Sequence, residues 1–385
     1  MTRLFRGFNF SLLIMKESFM KKFILFTSVS VLLSAQLHFE SSETCKSCHP
    51  KIYDEFQSTQ HAKASIFDDE IHAAVWKKHP KNTKMSSYAC AKCHTPAASN
   101  YDALIKKHNG VVPDRNDSTQ REGISCAYCH RIEDIHPGKM SNNNIISKKG
   151  KSYFGTLKSH IDSPFHEIKT NSEHFNSGNV CIGCHSHKKN KYDINVCSTN
   201  IDNTLDGANC VSCHMPKVKG SVSNMNKTKE HSFHGFPGTH AHQDMLTQYV
   251  DIRLKQNKKT FDVIIDNKSS HALSLHPMRM MQLRSKVIRG EKTIQLPVKN
   301  FARIIGADGK GTPPWLAKEI VQDTVVKANE KKVSTYDYIL EEGDTLEVTI
   351  GYYLVNPKML KSLDLEKSEV ATKFHHFKTE TFEIK

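Results

Sequence analysis

Hydrophobic residues occupy every second position in several runs of the chain from residue 246 onward. The runs are Val250, Ile252 and Leu254; Phe261, Val263 and Ile265; and Leu346, Val348, Ile350, Tyr352 and Leu354, with a last strand expected at residues 381–384. Because successive side chains of a strand point to opposite faces, each run predicts a strand with one buried face. Residues 246–385 are therefore predicted to form an antiparallel β-sandwich domain. The alternative, an irregular extension, agrees less well with this alternation.

Residues 36–245 lack that alternation and contain all eleven cysteines of the chain. Pro50 favours the first turn of a helix, where its missing N–H costs nothing, and Ile52 and Phe56 give that helix an apolar face. Clusters of polar residues and glycine, as at 141–144, predict surface loops. We therefore expect a mainly α-helical and irregular domain in this part of the chain.

An apolar run of thirteen residues, 23–35, follows two lysines near the N-terminus. A charged start, a short apolar run and the small residue Ala35 at its end are typical of a secretory signal peptide, here cleaved before Gln36. Met20 is then the expected start, and residues 1–35 are a leader and signal peptide. The alternative is an uncleaved membrane anchor, but a helix that spans a bilayer needs about 20 apolar residues. We therefore expect export to the periplasm.

Ten of the eleven cysteines form five Cys-x-x-Cys pairs, and a histidine directly follows each pair. The motifs, numbered 1 to 5 in chain order, are Cys45/Cys48/His49, Cys90/Cys93/His94, Cys126/Cys129/His130, Cys181/Cys184/His185 and Cys210/Cys213/His214. This pattern is the attachment signature of c-type haem. The two thiols bond to the porphyrin edge, and the histidine lies under the iron as its proximal ligand. The sequence therefore predicts five covalently bound haem c groups.

Two other uses of Cys-x-x-Cys explain the pattern less well. A zinc site needs four ligands and does not require a histidine after every pair. A disulfide framework does not require that histidine either. Five haems within residues 36–245 leave little chain for each haem, so we expect the porphyrins to form most of the core of that domain.

Haems held by two histidines each need a distal ligand as well, and the 18 histidines outside the motifs can supply it. The distal candidates are His61, His166, His174, His231, His234 and His271. We expect one ligand from the first neighbouring pair, His166 and His174, and one from the second, His231 and His234. The other histidines, each of which is expected to be exposed, are His72, His79, His108, His136, His160, His187, His240, His242, His276, His375 and His376.

His61 is the first choice among these candidates. It lies twelve residues after His49, which corresponds to about 18 Å along a continuous helix. At that distance it cannot easily reach the haem of motif 1, so we expect it to bind the iron of a neighbouring haem. The alternative is a surface histidine at the polar end of the helix.

The remaining cysteine and the net charge need no further cofactor or partner. Cys197 has no second cysteine to pair with and is interpreted as a buried or bystander thiol, with a thiolate ligand as the less favoured alternative.

The net charge is +14, and +10 once the leader is removed. Five haems would add about ten negative charges from their propionates and about one positive charge from each ferric iron. We expect no nucleic-acid partner, because no basic stripe with interleaved aromatic residues is present.

The sequences around the motifs resemble a family of multihaem c-type cytochromes. The resembling stretches are residues 45–62, 90–96, 123–130, 181–185 and 210–216. The family is similar to the tetrahaem cytochrome that accepts electrons from hydroxylamine oxidoreductase and, more distantly, to pentahaem nitrite reductase. The resemblance implies electron transfer, and such relatives include both carriers and reductases.

The resemblance also bears on two ligands. Relatives of this kind often carry a C-terminal β-sandwich in which an early loop presents a histidine, and His271 has that place here. Ser270 replaces the usual glycine before it, and residues 275–277, Leu-His-Pro, replace the usual Pro-Thr-Gly. Ammonia-forming nitrite reductases that resemble the chain have a lysine as one proximal ligand, whereas all five motifs here end in histidine. The lysine-ligated form of that enzyme is therefore not supported.

Two functions follow from these observations. The favoured hypothesis is an electron carrier of a respiratory chain that acts between a quinol-oxidising membrane protein and a soluble acceptor. The alternative is an enzyme that reduces a small nitrogen or sulfur compound. That enzyme needs one haem with an open distal position within a basic pocket. The preference for the carrier rests on analogy rather than on the geometry of a site.

Overall fold

Short helices, most of them of one or two turns, carry the cysteine motifs. The computed structural model describes residues 38–83, 87–106, 110–158, 163–170, 172–199 and 209–385, so that the predicted leader, His108 and His160 lie outside the described residues. The helices are α1 (Ser42–Lys46), α2 (Pro50–Gln57), α3 (Glu70–Lys78), α4 (Pro80–Thr83), α5 (Ala91–His94), α6 (Tyr101–Ile105), α7 (Ser118–Arg121), α8 (Cys126–Cys129), α9 (Glu173–Ser177), α10 (Ile182–His185), α11 (Cys210–His214) and α12 (Glu369–Thr372). Single 3-10 turns occupy Asn179–Cys181, Pro357–Met359 and Lys361–Leu363, and a longer 3-10 helix occupies Gln243–Tyr249. Within the described ranges, no helix combines the length and apolarity required to cross a bilayer.

The predicted helix after motif 1 is confirmed, but it is shorter than a continuous helix to His61. Helix α2 begins at Pro50, which occupies its first turn, and its C-cap is Ser58. The hydroxyls of Ser58 and Thr59 donate hydrogen bonds to carbonyls of the last turn at 2.6 and 2.7 Å. Such local bonds compete with continuation of the helix. His61 therefore lies in the turn beyond α2.

Short strands also lie between the motifs, where the sequence indicated only helices and loops. They are β1 (Ile132–His136), β2 (Asn143–Ile146), β3 (Ser152–Phe154), β4 (Glu167–Lys169), β5 (His187–Lys189), β6 (Asn195–Ser198), β7 (Lys217–Lys219) and β8 (Glu230–Ser232). Consecutive strands pair, with β3 and β4 parallel and the other pairs antiparallel. Each pair folds a loop between motifs back on itself.

Antiparallel strands dominate residues 246–385, as the alternation predicted. They are β9 (Val250–Gln256), β10 (Phe261–Asn267), β11 (Met280–Arg289), β12 (Lys292–Gln295), β13 (Lys299–Phe301), β14 (Arg303–Ala307), β15 (Lys310–Gly311), β16 (Glu319–Asp323), β17 (Lys331–Tyr336), β18 (Thr345–Tyr353) and β19 (His375–Glu383). One sheet has the order β17-β10-β9 and a second has the order β12-β11-β18-β19, with β13 also paired to β11. A small third sheet has the order β15-β14-β16. The predicted runs fall in β9, β10 and β18, and the last strand starts six residues earlier than expected, at His375.

One hydrophobic cluster is shared by the first two of these sheets. Six of its members on β10 and β18 follow the predicted alternation and are at most 1% exposed: Phe261, Val263, Ile265, Leu346, Val348 and Ile350. Ile71 of α3 packs against the same cluster. A helix from the motif region is thus packed on the sheets, and residues Phe39–Lys385 form one compact unit.

Candidate haem-binding site

A cavity of about 2020 Å³ is lined by all five motifs. The motif histidines face it together with at least one cysteine of each motif. A pocket for one small ligand usually has a volume of about 300–1,000 Å³. The cavity is therefore large enough for several bulky planar groups.

Each motif folds so that its three functional side chains lie on one side of a helical turn. In motif 1 the backbone N–H of His49 donates to the carbonyl of Cys45 at 2.9 Å, and motifs 2 and 3 make the same bond at 3.0 Å. Such a bond closes one turn of α-helix. Residues three and four positions apart are neighbours on a helix surface, so the two thiols and the imidazole of a motif lie beside each other.

Backbone carbonyls fix the tautomer of the proximal imidazoles. Nδ1 bonds a carbonyl oxygen in four motifs: His49 with Val222 at 2.7 Å, His94 with Ala64 at 3.1 Å, His130 with Phe154 at 2.7 Å and His214 with Pro237 at 2.6 Å. Because a carbonyl can only accept, Nδ1 carries the proton and donates it. The lone pair is then on Nε2, which is the arrangement found in metal-binding histidines.

Four proximal histidines each face a second histidine at the spacing that an iron requires. The ring centres lie 6.4 Å apart for His49 and His166, 6.2 Å for His130 and His234, 5.9 Å for His185 and His61, and 6.1 Å for His214 and His271. A metal at about 2.0–2.1 Å from each imidazole nitrogen, as in zinc sites, separates two ring centres by about 6 Å. The structure therefore brings four of the six distal candidates into position. His61 faces motif 4 rather than motif 1.

The other two candidates, His174 and His231, bind carboxylates instead. Nε2 of His174 lies 3.1 Å from a carboxylate oxygen of Asp134. His231 is buried, with Nε2 2.9 Å from Glu55 and Nδ1 3.1 Å from the carbonyl oxygen of Gly220. Both ring nitrogens of His231 are thus engaged in hydrogen bonds. In each of the two pairs that the sequence left open, the structure favours the other histidine.

Burial keeps four of the paired imidazoles neutral. It lowers the pKa of His61 and of His234 to about 3, and it also lowers the pKa of His130 and His185. The physical cause is the loss of hydration of the charged imidazolium in the protein interior. These histidines are therefore neutral at pH 7, and a neutral imidazole retains the lone pair that binds a metal.

Motif 2 differs from the other four. The ring centres of His94 and His72 are only 3.9 Å apart, which leaves no room for an iron between them. Both Nδ1 atoms lie 3.1 Å from the same oxygen, the carbonyl of Ala64. The two rings therefore lie side by side. Among the ring contacts of the described residues, no histidine stands opposite His94 at the iron spacing.

A half-buried cation, Arg279, lies near the proximal histidine of motif 4 and near Asp69 at the start of α3. It belongs to residues 268–279, which connect β10 to β11 and include several residues of the cavity wall. Burial lowers the pKa of His276 to about 3, and the charges of Arg279 and His94 lower it further. Burial also lowers the pKa of Arg279 itself, and within the described ranges this side chain forms no ion pair. Partial burial of a charge without a paired counter-ion is unfavourable, so Arg279 can bind an anion in the cavity.

Two of the buried histidines could not be identified from the sequence. His72 and His276 were expected to be exposed, yet His72 is 9% exposed and His276 lines the cavity. In helix α3, His72 and the buried Trp76 are four positions apart, so helical periodicity could have placed His72 on the inner face. For His276, the sequence offered one indication of a special role: residues 275–277, Leu-His-Pro, replace the Pro-Thr-Gly that is usual in the resembling family.

Cys197 lies in β6 and also lines the cavity. Burial raises the pKa of its thiol, which therefore stays protonated at neutral pH. This state agrees with the interpretation of Cys197 as a bystander and gives no support to a thiolate ligand.

Thiols of different motifs meet in three pairs. Cys45 lies near Cys126, Cys93 near Cys184, and Cys181 near Cys210, and each pair is close enough for one thiol to shift the pKa of the other. Motif 1 therefore lies beside motif 3, and motif 4 lies beside motifs 2 and 5. The attachment points for the cofactors are contiguous.

The assignment of distal ligands predicts different effects for two neighbouring histidines. His166→Ala should produce one high-spin ferric haem, because the iron of motif 1 loses its second imidazole. His174→Ala is the matched control and should leave all low-spin signals unchanged. Low-temperature EPR of the oxidised proteins, at equal haem content, distinguishes the two. A new high-spin signal in His174→Ala but not in His166→Ala would contradict the assignment.

Comparison with known proteins agrees with this geometry. The family described as "Cytochrome c554 and c-prime" matches residues 44–131 and 146–215, which include all five motifs. The fold is similar to that of a penta-haem cytochrome c552 from Thermochromatium tepidum, with a TM-score of 0.72 and 20% sequence identity over 91% of this chain and 100% of the other.

Other comparisons add little. The E. coli curli protein CsgC (8% identity, TM-score 0.16) and a superoxide reductase from Nanoarchaeum equitans (13%, 0.18) each align with 27% of this chain and with 82% and 81% of their own. TM-scores this low do not indicate a shared fold. No curated protein matches the chain. The part of the chain that carries the motifs therefore matches a family of multihaem c-type cytochromes, and the chain as a whole has a fold similar to that of a penta-haem cytochrome.

Proposed function

We propose that this protein is an exported pentahaem c-type cytochrome that transfers electrons in a respiratory chain. The observation that carries the proposal is the set of four imidazole pairs with ring centres 5.9–6.4 Å apart. An iron with an imidazole on each side has no position left for a substrate. Such a centre is suited to the relay of electrons.

The residues present fit five covalently attached haems. Each motif supplies two thiols and one imidazole on the same side of a helical turn, and the cavity that they line is large enough for several cofactors. The penta-haem cytochrome with the same fold supports the number five. Haem supplies the one-electron chemistry, while the protein's own residues hold the ligands neutral and in place.

The contacts between motifs support a continuous electron path. Motif 4 adjoins motifs 2 and 5 through Cys184 and Cys181, and motif 1 adjoins motif 3 through Cys45. Cys129 of motif 3 and Cys181 of motif 4 pack against the same hydrophobic cluster. All five attachment sites therefore belong to one connected group.

The cellular setting belongs to the same proposal. The apolar run at 23–35 supports secretion with cleavage before Gln36, and c-type haem is attached outside the cytoplasm. We propose a quinol-oxidising membrane protein as electron donor and a soluble protein as acceptor, in line with the resemblance to the tetrahaem partner of hydroxylamine oxidoreductase. The two sheets that share a core in residues 246–385 are proposed to be the layers of a β-sandwich that supports the haem region.

A reductive titration tests the proposed electron-transfer function. Protein matured in a host that exports and attaches haem should contain five haems per chain by pyridine haemochrome assay. It should also take up five electrons from dithionite under anaerobic conditions and return them to a soluble oxidant. Four or fewer haems in fully matured protein, or haems that cannot be reoxidised, would contradict the proposal.

A second candidate function is the reduction of a small nitrogen or sulfur compound at the haem of motif 2. Two observations favour it. The imidazole of His72 lies beside that of His94 rather than opposite it. The half-buried guanidinium of Arg279 lies near Asp69, which caps the helix that carries His72, and it forms no ion pair within hydrogen-bond distance among the described residues. An open distal side and a half-buried cation are what a site for a small anion requires.

Substitution of Arg279 tests this second function. Arg279→Gln should lower kcat/KM for nitrite by about tenfold or more, since a charge-assisted hydrogen bond to the anion is lost. The same variant should change kcat/KM much less for hydroxylamine, which is mostly neutral at pH 7. Haem content and the low-spin EPR signals serve as controls for folding. Equal losses for the two substrates, with folding intact, would show that Arg279 does not bind the anion.

A further inference from the structure

A continuous exposed surface lies at the edge of motifs 2 and 4. It comprises the tip of the β5–β6 hairpin and two segments that pack on the hairpin, and we call it the lysine surface. Its exposed residues are Lys139, Met140, Lys188, Lys191, Tyr192, Leu316, Lys318 and Ile320. Strand β5 begins at His187, two residues after the proximal histidine of motif 4.

Hydrogen bonds hold the parts of the lysine surface together. Nδ2 of the buried Asn190 donates to the carbonyls of Pro314 at 2.8 Å and Ala317 at 2.7 Å. The backbone N–H of Lys189 donates to the carbonyl of Met140 at 2.9 Å. The surface is therefore built on a fixed backbone, and a partner can bind it without first ordering a loop.

Apolar groups at the centre of this surface are surrounded by positive charge. Tyr192 is 40% exposed, Leu316 48% and Ile320 49%. The ammonium groups of Lys191 and Lys318 lie 4.7 and 5.8 Å from the ring centre of Tyr192. An exposed aromatic ring with nearby cations is a common anchor in protein interfaces.

The positive charge is only partly neutralised within the chain. Asp193 is paired with Lys189 at 3.0 Å, and the carboxylate of Glu319 accepts a hydrogen bond from the backbone of Gly309 at 2.8 Å. Among the described residues, Lys191 and Lys318 form no ion pair. The lysine surface is thus complementary to an acidic face of another protein.

The lysine surface also borders the cofactor cavity. Lys188 and Lys191 line the cavity as well as the surface. Lys188 lies in β5, three residues after the proximal histidine of motif 4, which places this lysine close to that motif. A cofactor carried by a docked protein would therefore lie near the attachment points of motifs 2 and 4, the two motifs joined by the Cys93–Cys184 contact.

We propose that the lysine surface is the docking site for an acidic, soluble electron-transfer protein. The inference rests on the proposed function, since it assumes that haems are held at motifs 2 and 4. In the transfer step one electron would pass from a ferrous iron of this protein to the oxidised cofactor of the partner, and the reverse reaction, from a reduced partner to a ferric iron, would use the same contact. No covalent bond or proton is transferred. Electron-transfer complexes bury little area, often less than about 1,200 Å² in total. A small group of exposed residues with long-range charge attraction is therefore sufficient for such an encounter.

Binding can be tested without electron transfer. The probe is ¹⁵N-labelled plant-type [2Fe–2S] ferredoxin, an acidic protein, mixed with the holoprotein while both are oxidised. The NMR titration is made at an ionic strength of about 0.01 M, where the screening length is about 30 Å. Lys191→Glu/Lys318→Glu should weaken the Kd by about tenfold or more. The matched control, Lys258→Glu/Lys259→Glu, makes the same charge change in the exposed turn between β9 and β10 and should change the Kd by less than about twofold, because the effect depends on local rather than net charge.

Two further measurements complete the test. The second-order rate of haem reduction by reduced ferredoxin should fall in parallel with the binding, whereas reduction by dithionite should be the same in all variants. Equal effects of the two lysine pairs, or tight binding of a basic probe such as mitochondrial cytochrome c, would overturn the proposal. Absence of reducible haem from the wild-type protein would instead contradict the proposed function. The two failures can be distinguished, because the NMR titration measures ferredoxin binding independently of haem reduction.

Discussion

Four of the five motifs depend on a pair of imidazoles whose ring centres lie about 6 Å apart and which come from distant parts of the chain. His49 faces His166, and His214 faces His271, so that each pair joins segments that are far apart in the sequence. A bound metal therefore acts as a cross-link, and its binding free energy adds to the folding free energy. The small hydrophobic clusters between the motifs are consistent with a region that depends on its cofactors for stability.

The strands of residues 246–385 have a separate hydrophobic core and can provide a rigid support for ligands. The connection between β10 and β11 begins at Asn267, which is fully buried. Its side-chain amide donates to the carbonyls of His271 at 3.0 Å and Lys327 at 2.7 Å. This clamp positions His271 opposite motif 5. Further along the same connection, Arg279 lies near the proximal histidine of motif 4, so one loop contributes both an imidazole and a cation to the cavity.

Sequence reasoning identified the motif residues and four of the eleven strands in residues 246–385 because both depend on local pattern. Cysteine spacing is set by one helical turn, and alternation is set by the strand period. The choice between His166 and His174 could not be made in this way, since both lie in similar polar contexts a few residues apart. It depends on Asp134, a residue distant in sequence that binds His174. The position of His72 beside His94 depends likewise on a carbonyl, that of Ala64, which both imidazoles bond.

Low-temperature EPR of the oxidised wild-type protein, before and after addition of nitric oxide, tests the central claim most directly. The axial ligands determine both the spin state and the reactivity of haem iron. The claim predicts that four haems, at motifs 1, 3, 4 and 5, give low-spin bis-histidine signals that nitric oxide does not change. The haem of motif 2 is predicted to give a high-spin signal that disappears on addition of nitric oxide. Five low-spin signals, all insensitive to nitric oxide, would show that a fifth distal ligand exists and would contradict the account of motif 2.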